Sequence, residues 1–141
     1  MVRFEAPTGE EIEWPTVELL RDRLLFGDAD YWQGAPGDAR IVFDEPGHRA
    51  ELLLELVPEA GVLVRYTDSD VELFLGDDTP EGEDPLAHVS TTQTGDVWIT
   101  ARDTFVRRAT AVRAVEEFLK SGRREMSLNW RPSITVYYPP E

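Results

Sequence analysis

The chain of 141 residues carries 14 Lys and Arg against 28 Asp and Glu, a formal balance of −14, and it has no cysteine. Such a charge repels nucleic acid and anionic bilayers alike, and the missing cysteine rules out a disulfide framework, a thiolate nucleophile and a zinc site built on sulfur. With 41% hydrophobic residues the chain has apolar side chains enough to bury one core without covalent or metal support.

Met1 to Phe4 lead at once into Glu5 and Pro7, without the apolar stretch of a signal peptide. Apolar runs elsewhere, such as Leu52 to Leu54, fall far short of the roughly 20 residues that a membrane span needs. A cytoplasmic protein away from the membrane is therefore expected.

In chain order, Val2 and Phe4 alternate with polar neighbours, Pro7-Thr8-Gly9 turns, and Ile12 and Trp14 resume the alternation, which predicts a hairpin. Thr16 is placed as the N-cap of a helix that runs to about Phe26. Its core face is drawn by Val17, Leu20 and Leu24, broadened by Leu19, Leu25 and Phe26, and Gly27 ends it. After an irregular stretch that holds Tyr31-Trp32, a meander of antiparallel strands is expected. It comprises Ala39 to Phe43, Arg49 to Val57, Val62 to Tyr66 and Val71 to Leu75, with turns at Glu45-Pro46-Gly47, Pro58 to Gly61 and Thr67 to Asp70.

Residues 76 to 86 have almost nothing to bury and read as an exposed acidic loop. Two further strands, His88 to Gln93 and Asp96 to Thr100, flank Thr94-Gly95. A second helix spans about Arg107 to Ser121, with Ala109, Val112, Val115, Phe118 and Leu119 on one face, Gly122 as its left-handed stop and Lys120, Arg123 and Arg124 at its negative end. Met126 to Trp130 and Ile134 to Tyr138 read as closing strands on either side of Arg131-Pro132. Neither a repeat nor a linker divides the chain, so the expectation is one α+β domain over 1–141: a twisted antiparallel sheet with an N-terminal and a C-terminal helix packed on it.

Charge is distributed unevenly. Tyr66 to Ala101 hold nine acids and no Lys or Arg, whereas from Arg102 onward eight bases face five acids. Solubility alone requires no such clustering. Metal chemistry is a weak reading of it: Asp68-Ser69-Asp70-Val71-Glu72 starts like a calcium loop but has Leu73 where a glycine must turn. Asp77 and Asp78 read as a solvated turn sooner than as a divalent-ion site. His48 and His88 lack metal-ligand spacing, and Ser90, His88 and Asp96 sit in no nucleophile elbow. Phosphate and dinucleotide loops are missing too. Neither a catalytic residue nor a cofactor is therefore expected. Trp14, Trp98 and Trp130 lie among apolar neighbours in strands and read as core; Trp32, beside Asp28 and Asp30, reads either as an interface anchor or as a residue packed under the helix 16–26.

Asp96 to Trp130 offer a family likeness through Phe105-Val106 before a helix, Ala114-Val115-Glu116-Glu117-Phe118-Leu119-Lys120-Ser121-Gly122-Arg123 within it, and Leu128-Asn129-Trp130 after it. This pattern resembles the close of the first-numbered immunity-protein family of bacterial polymorphic toxin systems, with Arg124 where a proline is common and an extension over residues 131–141. The resemblance implies a cytoplasmic antitoxin, monomeric when free, that forms a heterodimer with a cognate toxin domain, often a nucleic-acid deaminase or another nuclease-like enzyme. A basic toxin cleft would be met by the acidic segment, for which the residues expected are Asp68, Asp70, Asp77, Asp78, Glu81, Glu83 and Asp84, with Trp32 as anchor. An adaptor or secretion chaperone is the alternative partner-binding class, and a small enzyme the third.

Overall fold

A computed structural model describes residues 1–26, 39–57, 61–76, 86–91, 97–101 and 105–132. Ten strands and two helices lie within them: β1 (Val2–Glu5), β2 (Glu11–Glu13), α1 (Val17–Phe26), β3 (Ala39–Glu45), β4 (His48–Val57), β5 (Gly61–Asp68), β6 (Glu72–Leu75), β7 (Leu86–Thr91), β8 (Val97–Ala101), β9 (Phe105–Val106), α2 (Arg108–Ser121) and β10 (Trp130–Pro132). Eight strands form one antiparallel sheet in the order β10-β6-β5-β4-β3-β1-β2, with β9 on β5, while β7 and β8 make a separate hairpin. The expected meander is thus present as four neighbours, β3 to β6.

Alternation decides which face of this sheet is covered. Ala50, Leu52, Leu54 and Leu56 of β4, Val62, Val64 and Tyr66 of β5, and Val2 and Phe4 of β1 enter one buried cluster with Leu20 and Leu24 of α1 and Ala111, Val112, Ala114, Val115 and Phe118 of α2. Both helices therefore pack on the same face. Each large side chain buried this way contributes about 1.5–3 kcal/mol. A smaller cluster of Leu63, Phe74 and Phe105, with Leu53 against it, occupies the opposite face.

Local chemistry explains the helix ends. Thr16 caps α1, its hydroxyl accepting the Leu19 amide at 3.1 Å. At the other end Arg108 donates to the Leu25 carbonyl at 3.1 Å, so the first residue of α2 fastens the last turn of α1. Arg21 and Glu116 close the other end of the pair at 2.6 Å, which makes the two helices antiparallel. Two core assignments fail here. Ala109 and Phe26 are exposed, Phe26 by 78%, while Ala111 and Ala114 take the buried face of α2. The rest of the expected stripe holds, with Val112, Val115 and Phe118 buried and Leu119 packed against the core.

Trp14 was expected in the core and is 64% exposed. Its φ of 54° takes the chain out of the β2 alternation before α1 begins, which swings the indole to solvent. The closing strand also moves: β10 is Trp130–Pro132, not Met126–Trp130. The Glu125 carboxylate collects both the amide of Ser127 at 3.1 Å and its hydroxyl at 2.8 Å, bending 125–128 into a turn and leaving Met126 exposed. Pro132 is tolerated at the end of β10, which among the described residues is an edge strand of the sheet, beside β6. Phe105-Val106, which carried no strand expectation, forms β9 against Val62 and Leu63. Gly61 stands at φ 117° with the Val106 carbonyl where a Cβ would lie, so β9 is admitted by the missing side chain. The strand expected at Ile134 to Tyr138 falls outside the described residues.

Candidate functional site

The acidic segment enters the described structure at the bend between β5 and β6. Asp68 turns the chain there: Oδ1 accepts the amides of Asp70 at 2.8 Å and Val71 at 2.9 Å, and Oδ2 accepts the hydroxyl of Tyr66 at 2.8 Å. Burial by itself would raise this carboxyl. The amides of Asp70 and Val71, the Tyr66 hydroxyl and the charge of His48 outweigh it and hold Asp68 below the usual carboxylate range. Tyr66 responds in the opposite sense, pushed up to about 12 by burial first and then by its bond to, and the charge of, Asp68.

Asp70 and Glu72 follow, both exposed. The structure thus brings Asp68 and Asp70 to one bend but gives them different work: Asp68 spends both oxygens inside the fold, while Asp70 offers its carboxylate to solvent. Trp32, Asp77, Asp78, Glu81, Glu83 and Asp84 lie outside the described residues.

Behind this bend sits a cluster built by the residues of the 114–130 motif. Phe118, fully buried, meets the edges of Tyr66 at 6.1 Å and Phe43 at 6.2 Å. Trp130 packs its edge on Tyr66 at 6.2 Å, and its indole N–H donates to the Glu125 carbonyl at 3.0 Å. Arg124 lies over the Tyr66 ring at 5.5 Å. Trp130 is half-buried against the core, as its apolar neighbours suggested. Phe118 and Trp130, two residues of that motif, thus pack the end of α2 and the chain after it against Tyr66 of the sheet.

A second surface stands out at the far edge. Among the described residues β2 is the last strand on that side and pairs with β1 alone, through Arg3 with Glu13, Phe4 with Ile12 and Glu5 with Glu11. Ile12 turns toward the core, while Glu10, Glu11, Glu13 and Trp14 are exposed. Holding a tryptophan at positive φ costs about 1–2 kcal/mol, and no core burial of this side chain offsets it. Reading the residues as a hairpin found the strand but missed the surface, because Ile12-Glu13-Trp14 shows the same alternation whether the indole faces inward or out. The run of acids around it was the available signal.

On the face opposite α1 and α2 the charges alternate in sign. Glu51 lies 4.0 Å from Arg40 and 3.8 Å from Arg49, and Arg3 lies 3.7 Å from Glu5. Pairs this exposed contribute about 0–1 kcal/mol each. Among the described residues no three His, Asp or Glu side chains are grouped to hold a metal ion, and no helix is long and apolar enough to cross a membrane.

Comparison with known proteins gives a family match. The family model described as Immunity protein Imm1 matches residues 8–132, which takes in every described element from β2 to β10. No curated protein matches the chain.

Proposed function

The chain belongs to the Imm1 family of immunity proteins, and from that premise we propose that it is the antitoxin of a polymorphic toxin system, neutralising a toxin that acts on nucleic acid, a deaminase or a nuclease. An enzyme of that kind needs a basic cleft to hold phosphates. A strongly anionic protein occupies such a cleft with steered association and complementary ion pairs. The free chain is read as a cytoplasmic monomer and the inhibited state as a heterodimer, with no catalysis by the immunity protein itself.

The observation that carries this reading beyond the family is the one-sided run from Tyr66 to Ala101, nine acids with no Lys or Arg. Asp70, Asp77, Asp78, Glu81, Glu83 and Asp84 are proposed as the surface that meets the toxin. Trp32 is proposed as an anchor beside it. Asp68 is proposed to serve the same surface by holding the bend that presents Asp70, since its own oxygens are taken by Tyr66, Asp70 and Val71.

The test is co-expression with the toxin domain encoded beside this gene, followed by binding kinetics on the purified pair. Replacing Asp77, Asp78, Glu81 and Glu83 together by Lys should slow association at low salt by on the order of ten-fold or more and abolish protection of the cell. Unchanged association at low salt would remove the acidic segment from the interface.

A further inference from the structure

Among the described residues, backbone geometry at β2 leaves hydrogen-bonding groups open. Trp14 donates its amide to the Val2 carbonyl at 2.8 Å, and Glu10 accepts the Ala6 amide at 2.8 Å, so the ladder to β1 uses Glu10, Ile12 and Trp14. Antiparallel alternation turns the N–H and C=O of Glu11 and Glu13 the other way, off the sheet. β2 has no neighbour there among the described residues. The strand therefore ends the sheet as a short template, two outward donors and two outward acceptors, followed at once by an indole that is 64% exposed.

Charge selects what this template accepts. A second copy of β2 laid antiparallel about Ile12 would set Glu11 against Glu13 at both ends, and like charges directly opposite one another destabilise a pair. A strand with Arg or Lys at two positions two residues apart would instead set a cation against each carboxylate. Opposite charges across the ladder add to the main-chain bonds.

We propose that β2 is a docking edge for an extended segment of the toxin, which adds to the sheet as a further strand, sets alternate cations against Glu11 and Glu13, and receives Trp14 in an apolar recess. Resting on the antitoxin reading, this places a second contact at the edge of the sheet opposite β10, away from the bend between β5 and β6. Exposed tryptophans anchor interfaces more often than other residues do, and here the indole is presented by a backbone turn that serves no packing of its own.

The experiment uses the full chain and the toxin domain encoded beside its gene, purified in a catalytically inactive form. Trp14→Ala should weaken the complex by about thirty-fold. Glu11→Pro removes one outward N–H without touching the ladder to β1 and should weaken it by about ten-fold, more than Glu11→Gln, which alters only the charge. Circular dichroism and thermal melting of the free variants should match the parent, and hydrogen exchange at the Glu11 and Glu13 amides should slow in the complex. Equal affinity of Glu11→Pro and Glu11→Gln, or unprotected amides, overturns strand addition even if Trp14→Ala binds less well. Tight binding by all variants overturns the docking edge and leaves the antitoxin reading standing. Failure of the parent chain to bind that toxin removes both. A change in sedimentation of the free variants, with toxin affinity unaltered, assigns the edge to self-association and overturns the proposal.

Discussion

His48 Nε2 lies 2.7 Å from the carbonyl oxygen of Gly122, 74 residues away. A carbonyl only accepts, so this nitrogen carries the hydrogen and the ring donates. The bond ties the first residue of β4 to the stop of α2, and the Phe43 ring, 5.8 Å from His48, fills the angle between them. Gly122 itself stands at φ 70° and gives its amide to Phe118 at 2.8 Å.

Gly122→Ala should be among the costliest single-methyl changes in the chain. The left-handed backbone disfavours any Cβ, and the Phe43 ring occupies the place where this one would go. A loss of about 2–4 kcal/mol is expected from the two effects together. Urea unfolding of the variant against the parent measures it, and a loss below 0.5 kcal/mol would contradict the packing described.

Asp68→Ala should cost about 1–3 kcal/mol, because the Tyr66 hydroxyl and two amides of the bend lose their acceptor. The sign of the pH dependence follows from the depressed carboxyl. Its stabilisation is complete above the ordinary carboxylate range and is lost as pH falls through the lower folded value. Unfolding curves of parent and Asp68→Asn should therefore converge in acid. A gap that stayed constant from neutral pH to pH 2 would show that the charge of Asp68 contributes nothing.

Tyr66 predicts the opposite limb. With its phenol pushed from 10.0 up to about 12 in the fold, its contribution is intact below pH 10 and is lost as pH rises from there to about 12. Denaturation of Tyr66→Phe should show a shallower alkaline loss than the parent. Ultraviolet titration should show one late tyrosinate in the parent that the variant lacks.

Trp14→Gly should separate stability from function. Glycine accepts a φ of 54° without strain, and the side chain it removes buries little. Stability should hold within about 0.5 kcal/mol or rise slightly, while binding to the toxin falls. Thermal melting and titration of the same sample decide it; a loss above 2 kcal/mol would mean that the indole supports the fold.

Much of the architecture was readable because β4 states its own periodicity: Ala50, Leu52, Leu54 and Leu56 line one face, with Leu53 the one apolar residue between them that turns to the other, and Pro46-Gly47 marks the turn before them. The helix stop at Gly122 was equally plain. The errors cluster where short-range pattern and long-range contact disagree. Met126 to Trp130 look like a strand until the Glu125 carboxylate claims Ser127, and Phe105-Val106 are too short to announce β9 without knowing that Gly61 makes room for them. Trp14 shows the same limit at the level of the site: alternation places a residue on a strand but does not report a reversal of φ one residue past its end. The role of Asp68 was hidden for a related reason, since composition counts a carboxylate as surface charge whether or not its lone pairs are already in use.

α2 is entered from β9 and left toward β10, and these short strands are paired to β5 and β6. Lifting the helix from the sheet thus requires two separate ladders to part along with its apolar face, which makes Phe105 to Pro132 a single cooperative unit of opening. Amides in the middle of α2 should then exchange only when this whole segment opens, and a protease that nicks the chain between β8 and β9 should leave the segment clasped to the remainder as a non-covalent pair.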